Sequence, residues 1–513
     1  MSDLYNKASL VMNPQLVDTG KVYSIKPEDR KGDFTFSRST AATRVNADGN
    51  IEKETQNLLL QSNTFNTTWV LESGDYTIAS GQSGYDGSSD AWLLTKASTD
   101  NRYLIQSGLT NIGVVTLSIY AKAGTADGIM IYSHGGYGRW NLSTGVQINS
   151  GGDKIDTNIE SVGNGWYRCS VVSQGTGVFF VKVVDSSGVE TAGSIYIQDA
   201  QVEQGLVARD YIETTTAAVE GGITDNVPRL DYTDSSCPAL LLEPQRTNIV
   251  TQSEYFEDGY WNKQNAIAIN TNSDLSPEGI QNATELDGFD ASNFQSVAQY
   301  ITLSAGTYTF SVFLKKTTGA LTHYPAVVMG SVYKYVIVNS TTGTYVEATG
   351  TNNNDSVIIE SWDADWWRVS LTNTLSAGAQ RFAIYPALSA NGTFITTNAS
   401  GTNVFWGAQV EVGSYPTSYI PAYGSSVTRS QEYGRTTHSA YEVNEEQGVI
   451  FAEFEYLGGK DFQVVSMHNG GALVNWLMID TAGNLRGSVF YDNAFQVTMN
   501  SSTTTLSPNT NYK

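Results

Sequence analysis

The sequence is poor in charge and in cysteine, and each shortage excludes a class of protein. Charged residues make up only 16% of the 513 residues, which excludes a coiled coil, while the 40% of apolar residues excludes a disordered chain. Two cysteines cannot staple a miniprotein, and no zinc-ligand spacing occurs. We therefore interpret Cys169 and Cys237 as free thiols in a protein whose surface is largely uncharged.

Basic residues are also scarce, and long apolar runs are absent. There are 29 Lys and Arg against 51 Asp and Glu, giving a formal charge of −22. This balance argues against nucleic acid and anionic membranes as partners, because both require positive charge. Residues 1–21 lack the pattern of a secretory signal, and the strongest apolar run, 178–184, has only the length of a strand. We expect a chain made in a cytoplasm, with no membrane insertion.

The chain contains a large internal repeat, which is its most informative feature. The distance between matched segments grows from 191 to 208 residues, as expected if insertions fall in loops. The matched segments are 57–62 with 248–253, 116–122 with 309–315, 160–171 with 360–371, and 200–212 with 408–420. The collinear order indicates a duplicated domain.

Within each copy, apolar and polar residues alternate, as in Thr-Leu-Ser-Ile-Tyr-Ala-Lys (116–122) and Thr-Phe-Ser-Val-Phe-Leu-Lys (309–315). A strand buried on one face has this period of two. Clusters of Gly, Asn, Asp and Ser interrupt these runs every ten or so residues. The pattern predicts an all-β protein with tandem antiparallel β-sandwich (jelly-roll) domains at 57–218 and 248–436.

The remaining segments connect or flank these modules. Residues 1–56 are a lead-in, and 219–247 contain the apolar run Leu-Leu-Leu-Glu-Pro, which predicts an ordered, packed connector. From 437 onward, clean alternation at 448–456 and 485–491 predicts a third β-sandwich. About 75 residues are too few to close such a sandwich, so we expect 437–513 to be the start of a domain that is incomplete here or completed by a partner.

Several segments resemble jelly-roll modules of tail-fibre and related virion proteins of tailed bacteriophages, and such modules are similar to carbohydrate-binding jelly rolls. These are Arg-Thr-Asn-Ile-Val-Thr-Gln-Ser-Glu-Tyr-Phe (246–256) followed by Trp261, Trp-Trp-Arg-Val-Ser-Leu (366–371) and Phe-Trp-Gly-Ala-Gln-Val-Glu (405–411). Residues 437–513 are similar to the opening half of a concanavalin A-like, laminin G-type domain. The resemblance covers about 57–513, and its motifs are core and edge signatures that do not identify a ligand.

The resemblance implies a structural protein of the virion, assembled in the host cytoplasm, that belongs to a fibre, a tail or the capsid surface. Residues 1–56 would then be the virion-attachment segment, an inference by analogy. The expected partners are other virion proteins and a host-surface glycan. We also expect a homo-oligomer, with a trimer as the state common in such fibres.

Carbohydrate binding needs aromatic rings for the sugar's C–H face and polar groups for its hydroxyls. The tryptophans at repeat-matched positions, Trp69, Trp166, Trp261 and Trp366, are predicted to lie in the core. Contacts between subunits and simple turn packing are the alternatives for residues 132–140. The candidate ligand-binding residues are Trp92, Tyr103, Tyr132, Tyr137 and Trp140 in the first module, and Tyr300, Tyr324, Tyr333 and Tyr335 in the second.

The sequence offers little to support a metal site, a cofactor or catalysis. Asp86 and Asp90 lie in a tight turn without EF-hand spacing; turn capping is the favoured interpretation, with a structural calcium ion as the alternative. The histidines are scattered, and no known catalytic motif occurs. We therefore predict no cofactor, no catalytic residues and no enzyme. Three hypotheses remain open: a glycan-binding adhesin, a purely structural scaffold and, last, a polysaccharide depolymerase.

Overall fold

The computed structural model describes residues 2–71, 74–109, 113–175, 178–233, 235–321, 323–332, 334–347, 353–389, 399–436, 452, 454–456, 462–469, 472–479, 484–491, 494–506 and 510–512. Over these residues the chain is all-β apart from one short helix, α1 (Ser2–Lys7), which confirms the predicted fold class. The strands of the lead-in are β1 (Val11–Asp18), β2 (Lys21–Lys26), β3 (Phe34–Ser37), β4 (Arg44–Val45), β5 (Ile51–Glu52) and β6 (Thr55–Asn57).

The first module is a sandwich of two six-stranded antiparallel sheets. Its strands are β7 (Val70–Leu71), β8 (Tyr76–Gln82), β9 (Ala91–Lys96), β10 (Leu104–Ser107), β11 (Val114–Ala123), β12 (Gly128–Ser133), β13 (Gly136–Asn141), β14 (Val146–Gly152), β15 (Lys154–Gly163), β16 (Trp166–Gln174), β17 (Val178–Val184) and β18 (Gly193–Gln204). The front sheet has the order β14-β13-β12-β17-β10-β7, and the back sheet has the order β15-β16-β11-β18-β9-β8.

The connector and the second module follow. The connector strands are β19 (Val219–Gly221), β20 (Arg229–Asp231) and β21 (Ala239–Leu241). The strands of the second module and its exit are β22 (Arg246–Asn248), β23 (Asn262–Gln264), β24 (Ala268–Asp274), β25 (Ala283–Gly288), β26 (Ser296–Leu303), β27 (Gly306–Lys315), β28 (His323–Met329), β29 (Lys334–Val338), β30 (Tyr345–Glu347), β31 (Ser356–Ser361), β32 (Trp366–Leu375), β33 (Gly378–Ser389), β34 (Gly401–Val412), β35 (Val427–Arg429) and β36 (Tyr433–Arg435).

The second module repeats the first strand for strand, which confirms the duplication. Its front sheet has the order β30-β29-β28-β33-β26-β23, and its back sheet has the order β31-β32-β27-β34-β25-β24. Each module has its own apolar core between the two sheets. The alternation seen in the sequence explains this, since Leu117 and Ile119 of β11 face the core while Tyr120 packs on the opposite face. The four repeat-matched tryptophans are buried, as predicted.

The two ends of the double module are joined in one sheet. β3 pairs with β36, giving a four-stranded sheet of order β1-β2-β3-β36. β6 pairs with β19 of the connector, and β22 pairs with β35. The lead-in therefore forms backbone hydrogen bonds both with the connector and with the segment that leaves the second module.

Beneath this sheet lies a buried cluster of three arginines and two glutamates, the arginine hub (Arg38, Arg229, Arg429, Glu243 and Glu432). Arg38 Nη1 is 2.8 Å from Glu432 Oε1, and Arg229 Nη2 and Arg429 Nη1 are each 2.8 Å from Glu243 Oε2. Burial alone would raise the pKa of Glu243, but Arg429 and Arg229 outweigh it and lower that pKa to about 2. The hub joins the lead-in, the connector and the exit of the second module.

A second buried ion network lies between the two modules. Lys53 Nζ is 2.8 Å from Glu254 Oε1 and also pairs with Glu278. Arg209, from the segment after β18, places Nη2 2.8 Å from Glu278 Oε2. Buried ion pairs are strongly destabilised when one partner is lost, so such networks favour a single arrangement of the elements they connect. The modules are thus held at a fixed angle.

The third segment has strands β37 (Phe454–Tyr456), β38 (Phe462–Asn469), β39 (Ala472–Ile479), β40 (Asn484–Tyr491), β41 (Ala494–Thr505) and β42 (Thr510–Tyr512). β38 to β41 form a four-stranded antiparallel sheet in chain order, and β37 pairs with β42. The predicted strand at 485–491 is confirmed as β40. Most of the predicted strand at 448–456 lies outside the described residues.

Two further sequence predictions can be compared with the described part of the chain. Cys169 is buried and Cys237 is exposed, and both are free thiols, as predicted. Burial raises the pKa of Cys169, which makes that thiol unreactive. No helix among the described residues has the length and apolar character needed to cross a membrane.

Candidate functional site

Two of the five aromatic candidates in the first module lie inside the sandwich. Trp140 has no exposed surface, and Trp92 is only 7% exposed. The indole nitrogen of Trp92 donates a hydrogen bond to the Asn63 carbonyl oxygen at 2.9 Å, and its ring packs edge-on against Phe65. These two tryptophans stabilise the core, and in this structure neither is accessible to a ligand.

The other three candidates lie on the outer face of the front sheet and are joined there by Phe180. In the register of the sheet, Tyr132 of β12 is directly opposite both Phe180 of β17 and Tyr137 of β13. Tyr103 precedes β10 and contacts the far side of Phe180. We call these four residues the aromatic row. Gly151 accommodates the end of the row, because a Cβ there would lie 2.8 Å from the Tyr137 hydroxyl.

Three rings of the row, those of Tyr103, Phe180 and Tyr132, stack on one another instead of lying flat on the sheet. The ring centroids of Tyr132 and Phe180 are 4.4 Å apart with an interplanar angle of 6°, and those of Tyr103 and Phe180 are 4.7 Å apart at 20°. Neighbouring strands are about 4.8 Å apart, so parallel rings at this spacing stand upright on the sheet. Both faces of Phe180 are therefore covered, and the row directs ring edges outward.

Two cations lie beside the row. Lys182, two residues after Phe180 on β17, has its ammonium 5.6 Å from the Tyr103 ring centroid and 2.8 Å from Glu190 Oε1. The Arg139 guanidinium lies 4.5 Å above the Tyr137 ring. Cation–π contacts of this kind fix the positions of both partners. One cation therefore lies at each end of the row, and of the two Lys182 is buried and paired with Glu190.

Arg139 also links the row to a polar edge of the sheet. Its Nη1 donates a hydrogen bond to Asn149 Oδ1 of β14 at 3.0 Å. The side chain therefore covers the Tyr137 ring while being held by an amide from the next strand. Upright ring edges bordered by guanidinium, ammonium and amide groups can hydrogen-bond hydroxyl groups and pack against C–H groups.

The sequence interpretation missed Phe180, although the sequence contains the signal. Phe179 and Phe180 are consecutive residues of a strand, so their side chains must point to opposite faces of the sheet. Phe179 is buried in the core, where it contacts His134, and Phe180 lies in the row. The run 178–184 therefore indicated an outward-facing aromatic residue.

The candidates of the second module do not form an equivalent row. The register places Val328 and Ala383 where the first module has Tyr132 and Phe180. Tyr324 and Tyr335 pack against an apolar cluster on this outer face, and Tyr335 occupies the position equivalent to Tyr137. Tyr300 is 55% exposed on β26, and Tyr333 lies outside the described residues. The aromatic row is a feature of the first module.

The turn with Asp86 and Asp90 is held by hydrogen bonds. Asp86 Oδ1 accepts from the Ser88 backbone N–H at 3.0 Å, and Gln198 Nε2 donates to Asp90 Oδ1 at 2.9 Å. Hydrogen bonding by Ser88 lowers the pKa of Asp86. In the part of the chain that the structure describes, no group of three or more His, Cys, Asp or Glu side chains could hold a metal ion. These contacts are those of a capped turn.

Two polar residues in turns, Asp363 and His134, have structural contacts. Asp363 Oδ1 accepts hydrogen bonds from the backbone N–H groups of Asp365 and Trp366, each at 2.7 Å, which caps the turn before β32. His134 is buried at the β12–β13 turn, its Nδ1 lies 3.0 Å from Ser133 Oγ, and burial lowers its pKa. Neither arrangement brings a nucleophile and a base together at a surface.

Comparison with known proteins gives limited information. No family model matches the sequence, and no curated protein matches it. Among solved structures, the chain is similar to the N-terminal CBM22-1–CBM22-2 tandem domain of Xyn10C from Paenibacillus barcinonensis. The sequence identity is 13%, the TM-score is 0.22, and the similarity covers 70% of this chain and 97% of that one. The chemistry of this protein's own outer surfaces therefore carries the functional proposal.

Proposed function

We propose that this chain is a non-enzymatic structural protein of a tailed-bacteriophage particle that binds a host-surface glycan through the aromatic row of its first module. The observation that carries the proposal is the row itself: four outward-facing aromatic residues, three on neighbouring strands and one just before β10, bordered by Lys182, Arg139 and Asn149. A saccharide offers hydroxyls to such donors and C–H groups to ring edges. The resemblance of 246–261, 366–371 and 405–411 to tail-fibre modules supports the virion setting.

A structural role is supported by the way in which the modules are joined. The arginine hub and the Lys53–Glu254–Glu278–Arg209 network are buried, and each connects segments that are far apart in the chain. A rigid double module would present the row at a fixed orientation to the particle. The proposed homo-oligomer, with a trimer as the favoured state, would multiply weak single-site binding through avidity.

Binding is tested with the full chain on an array of bacterial surface polysaccharides. We expect saturable binding to one glycan class, and Tyr132→Ala and Tyr137→Ala should each weaken it about ten-fold, as is typical for truncation of a central aromatic contact. Tyr260→Ala is the matched control, because Tyr260 is exposed on the second module and lies outside the row. A folded chain that binds no polysaccharide would leave only the scaffold hypothesis.

The particle setting and the absence of catalysis need separate measurements. Antibodies against the chain should label the exterior of purified phage particles in electron microscopy, and light scattering should show an oligomer. Incubation with a bound polysaccharide should leave its chain length unchanged. Unlabelled particles would refute the virion proposal, and a shortened polysaccharide would establish the depolymerase hypothesis in its place.

A further inference from the structure

A polar cavity of about 360 Å³ lies between the back sheet of the first module and the second module. Its first wall is formed by the outer faces of β15 and β16, and its second wall by β24. The segment after β18 closes one side with Leu206. The volume is at the lower end of the roughly 300–1,000 Å³ that is typical of small-molecule sites. The cavity is distinct from the aromatic row, which lies on the front sheet.

The first wall is polar because of the strand register. Asp156, Asn158 and Glu160 alternate along β15, so their side chains share the outer face. Opposite them on β16 the register places Val172, Ser170 and Arg168 in the same order. This face therefore offers carboxylates, an amide, a hydroxyl and a guanidinium around one apolar side chain.

Asn272 fixes the second wall and carries a buried oxygen atom that has no hydrogen-bond donor among the described residues. Its side chain is 8% exposed, and its Nδ2 donates to Asp156 Oδ2 at 2.8 Å and to the Leu206 carbonyl oxygen at 2.9 Å. Its Oδ1 accepts no hydrogen bond within the described part of the chain. A buried amide oxygen with no donor is costly, because burial removes the water that would otherwise bond to it.

Two more residues of the cavity wall also have a buried polar atom without a hydrogen-bond partner among the described residues. Thr271 Oγ1, on the strand beside Asn272, is buried without a hydrogen bond among the described residues. The same holds for Arg168 Nε, although Arg168 Nη2 donates to Ser118 Oγ at 3.1 Å. Arg368 Nε, the counterpart of Arg168 Nε in the second module, is in the same state, so the unpaired Thr271 Oγ1 and Asn272 Oδ1 are the features particular to this wall.

We infer that this cavity is a second binding site, which takes a small neutral polyhydroxylated molecule such as a mono- or disaccharide. Sugar hydroxyls both donate and accept hydrogen bonds, so they can bond to the carboxylates, the amide and the hydroxyl that line the first wall. The C–H groups of the ring would pack against Val172 and Leu206. An anion would be repelled by Asp156 and Glu160, which favours an uncharged ligand.

The same face of the second module has only part of this chemistry. By register, Ser356 replaces Asp156, Ile358 replaces Asn158 and Thr372 replaces Val172. Glu360, Ser370 and Arg368 keep the identities of Glu160, Ser170 and Arg168, so the duplication preserved the strands and half of the polar lining. A site that occurs once, at the junction of the modules, is specific to this interface and not a by-product of the repeated fold.

The test uses isothermal titration calorimetry of the full chain with glucose, galactose, N-acetylglucosamine, lactose and maltose. We expect saturable binding of at least one of these sugars. Ser170→Ala removes a hydroxyl of the first wall, and it should weaken binding about ten-fold, the effect of one buried hydrogen bond. Ala208→Phe, which fills the cavity from its lining, should abolish binding. Thermal melts verify that both variants fold.

Two controls separate this site from the aromatic row. Thr77→Val changes an exposed threonine at the opposite edge of the same back sheet and should leave binding unchanged. Tyr132→Ala should also leave it unchanged. The inference is overturned if no sugar binds, with water alone filling the cavity, or if binding survives Ala208→Phe and is lost with Tyr132→Ala. Sugar binding that depends on Tyr132 and not on the cavity would leave the proposed glycan binding by the aromatic row intact. Conversely, a chain that binds small sugars in the cavity but no polysaccharide would refute only the proposed function.

Discussion

Asn57 and Asn248 lie 191 residues apart in the chain and make the same four hydrogen bonds in their respective modules. Each side-chain nitrogen donates to two backbone carbonyls, and each side-chain oxygen accepts from two backbone N–H groups. The partners are Ala200, Ile212, Leu59 and Val202 for Asn57, and Ala408, Ile420, Val250 and Val410 for Asn248. Each asparagine thereby joins the strand that leads into its module, β6 or β22, to the last strand of the back sheet, β18 or β34.

Replacement of either asparagine should destabilise its module. Asn57→Ala and Asn248→Ala each leave four buried backbone groups without partners, so we expect a loss of about 2–4 kcal/mol in the free energy of unfolding. Calorimetry of the full chain should show a lowered transition for the affected module. Asn262→Ala, at an exposed position of β23, is the control and should change stability by less than about 0.5 kcal/mol. Equal effects at all three positions would refute this role.

In the arginine hub, loss of a glutamate should lower the free energy of unfolding more than loss of an arginine. Glu432 pairs with both Arg38 and Arg229, so Glu432→Gln leaves three buried arginines with one carboxylate, and we expect a loss of about 3–5 kcal/mol. Arg229→Met should cost less, because Arg38–Glu432 and Arg429–Glu243 remain paired. Urea unfolding of the two variants measures the difference.

Glu432→Gln should also destabilise the N-terminal strands locally. Because β3 pairs with β36, which begins one residue after Glu432, Glu432→Gln should speed amide hydrogen exchange at residues 34–37. Exchange in β27, at the centre of the second back sheet, serves as the internal control. If Arg229→Met lowers the free energy of unfolding more than Glu432→Gln does, these ion pairs do not determine the stability of the hub.

The alternation of apolar and polar residues in the sequence was sufficient to predict the sheets. It also indicates which aromatic candidates face outward and which face the core. Tyr137 and Trp140 were grouped as one aromatic surface, yet they are an odd number of residues apart on one strand. Their side chains must face opposite sides of the sheet, and the structure places Tyr137 outside and Trp140 in the core. Parity alone could have divided the candidates correctly.

The ion networks could not have been predicted from the sequence. Arg38 and Glu432 are separated by 394 residues, and nothing in their neighbourhoods marks them as partners. The cavity between the modules was equally unpredictable, because Asp156 and Asn272 belong to different copies of the repeat. Contacts between domains depend on the angle at which the domains pack, and no local pattern encodes that angle.

A buried carboxyl predicts how stability depends on pH. Asp199 lies beside the Asp86–Asp90 turn, where burial and the neighbouring Asp90 and Asp86 carboxylates raise its pKa to about 7 from an ordinary value of 3.8. The folded state therefore binds the proton more tightly than the unfolded state does. Stability contributed by the protonated form is present below about pH 4 and is lost as the pH rises to about 7.

Asp199→Asn should remove this pH dependence, because asparagine stays neutral and tolerates the positive φ of 51° at this position. At pH 8 we expect the variant to exceed the parent chain in unfolding free energy by about 2–4 kcal/mol, with little difference at pH 4. Urea unfolding at pH 4, 6 and 8 measures this. Asp48→Asn, in an exposed turn, should behave like the parent chain. A gain at pH 8 that is equal to the gain at pH 4 would show that the carboxyl is not protonated in the folded chain, and the burial of Asp199 would then have to be offset by a bound cation.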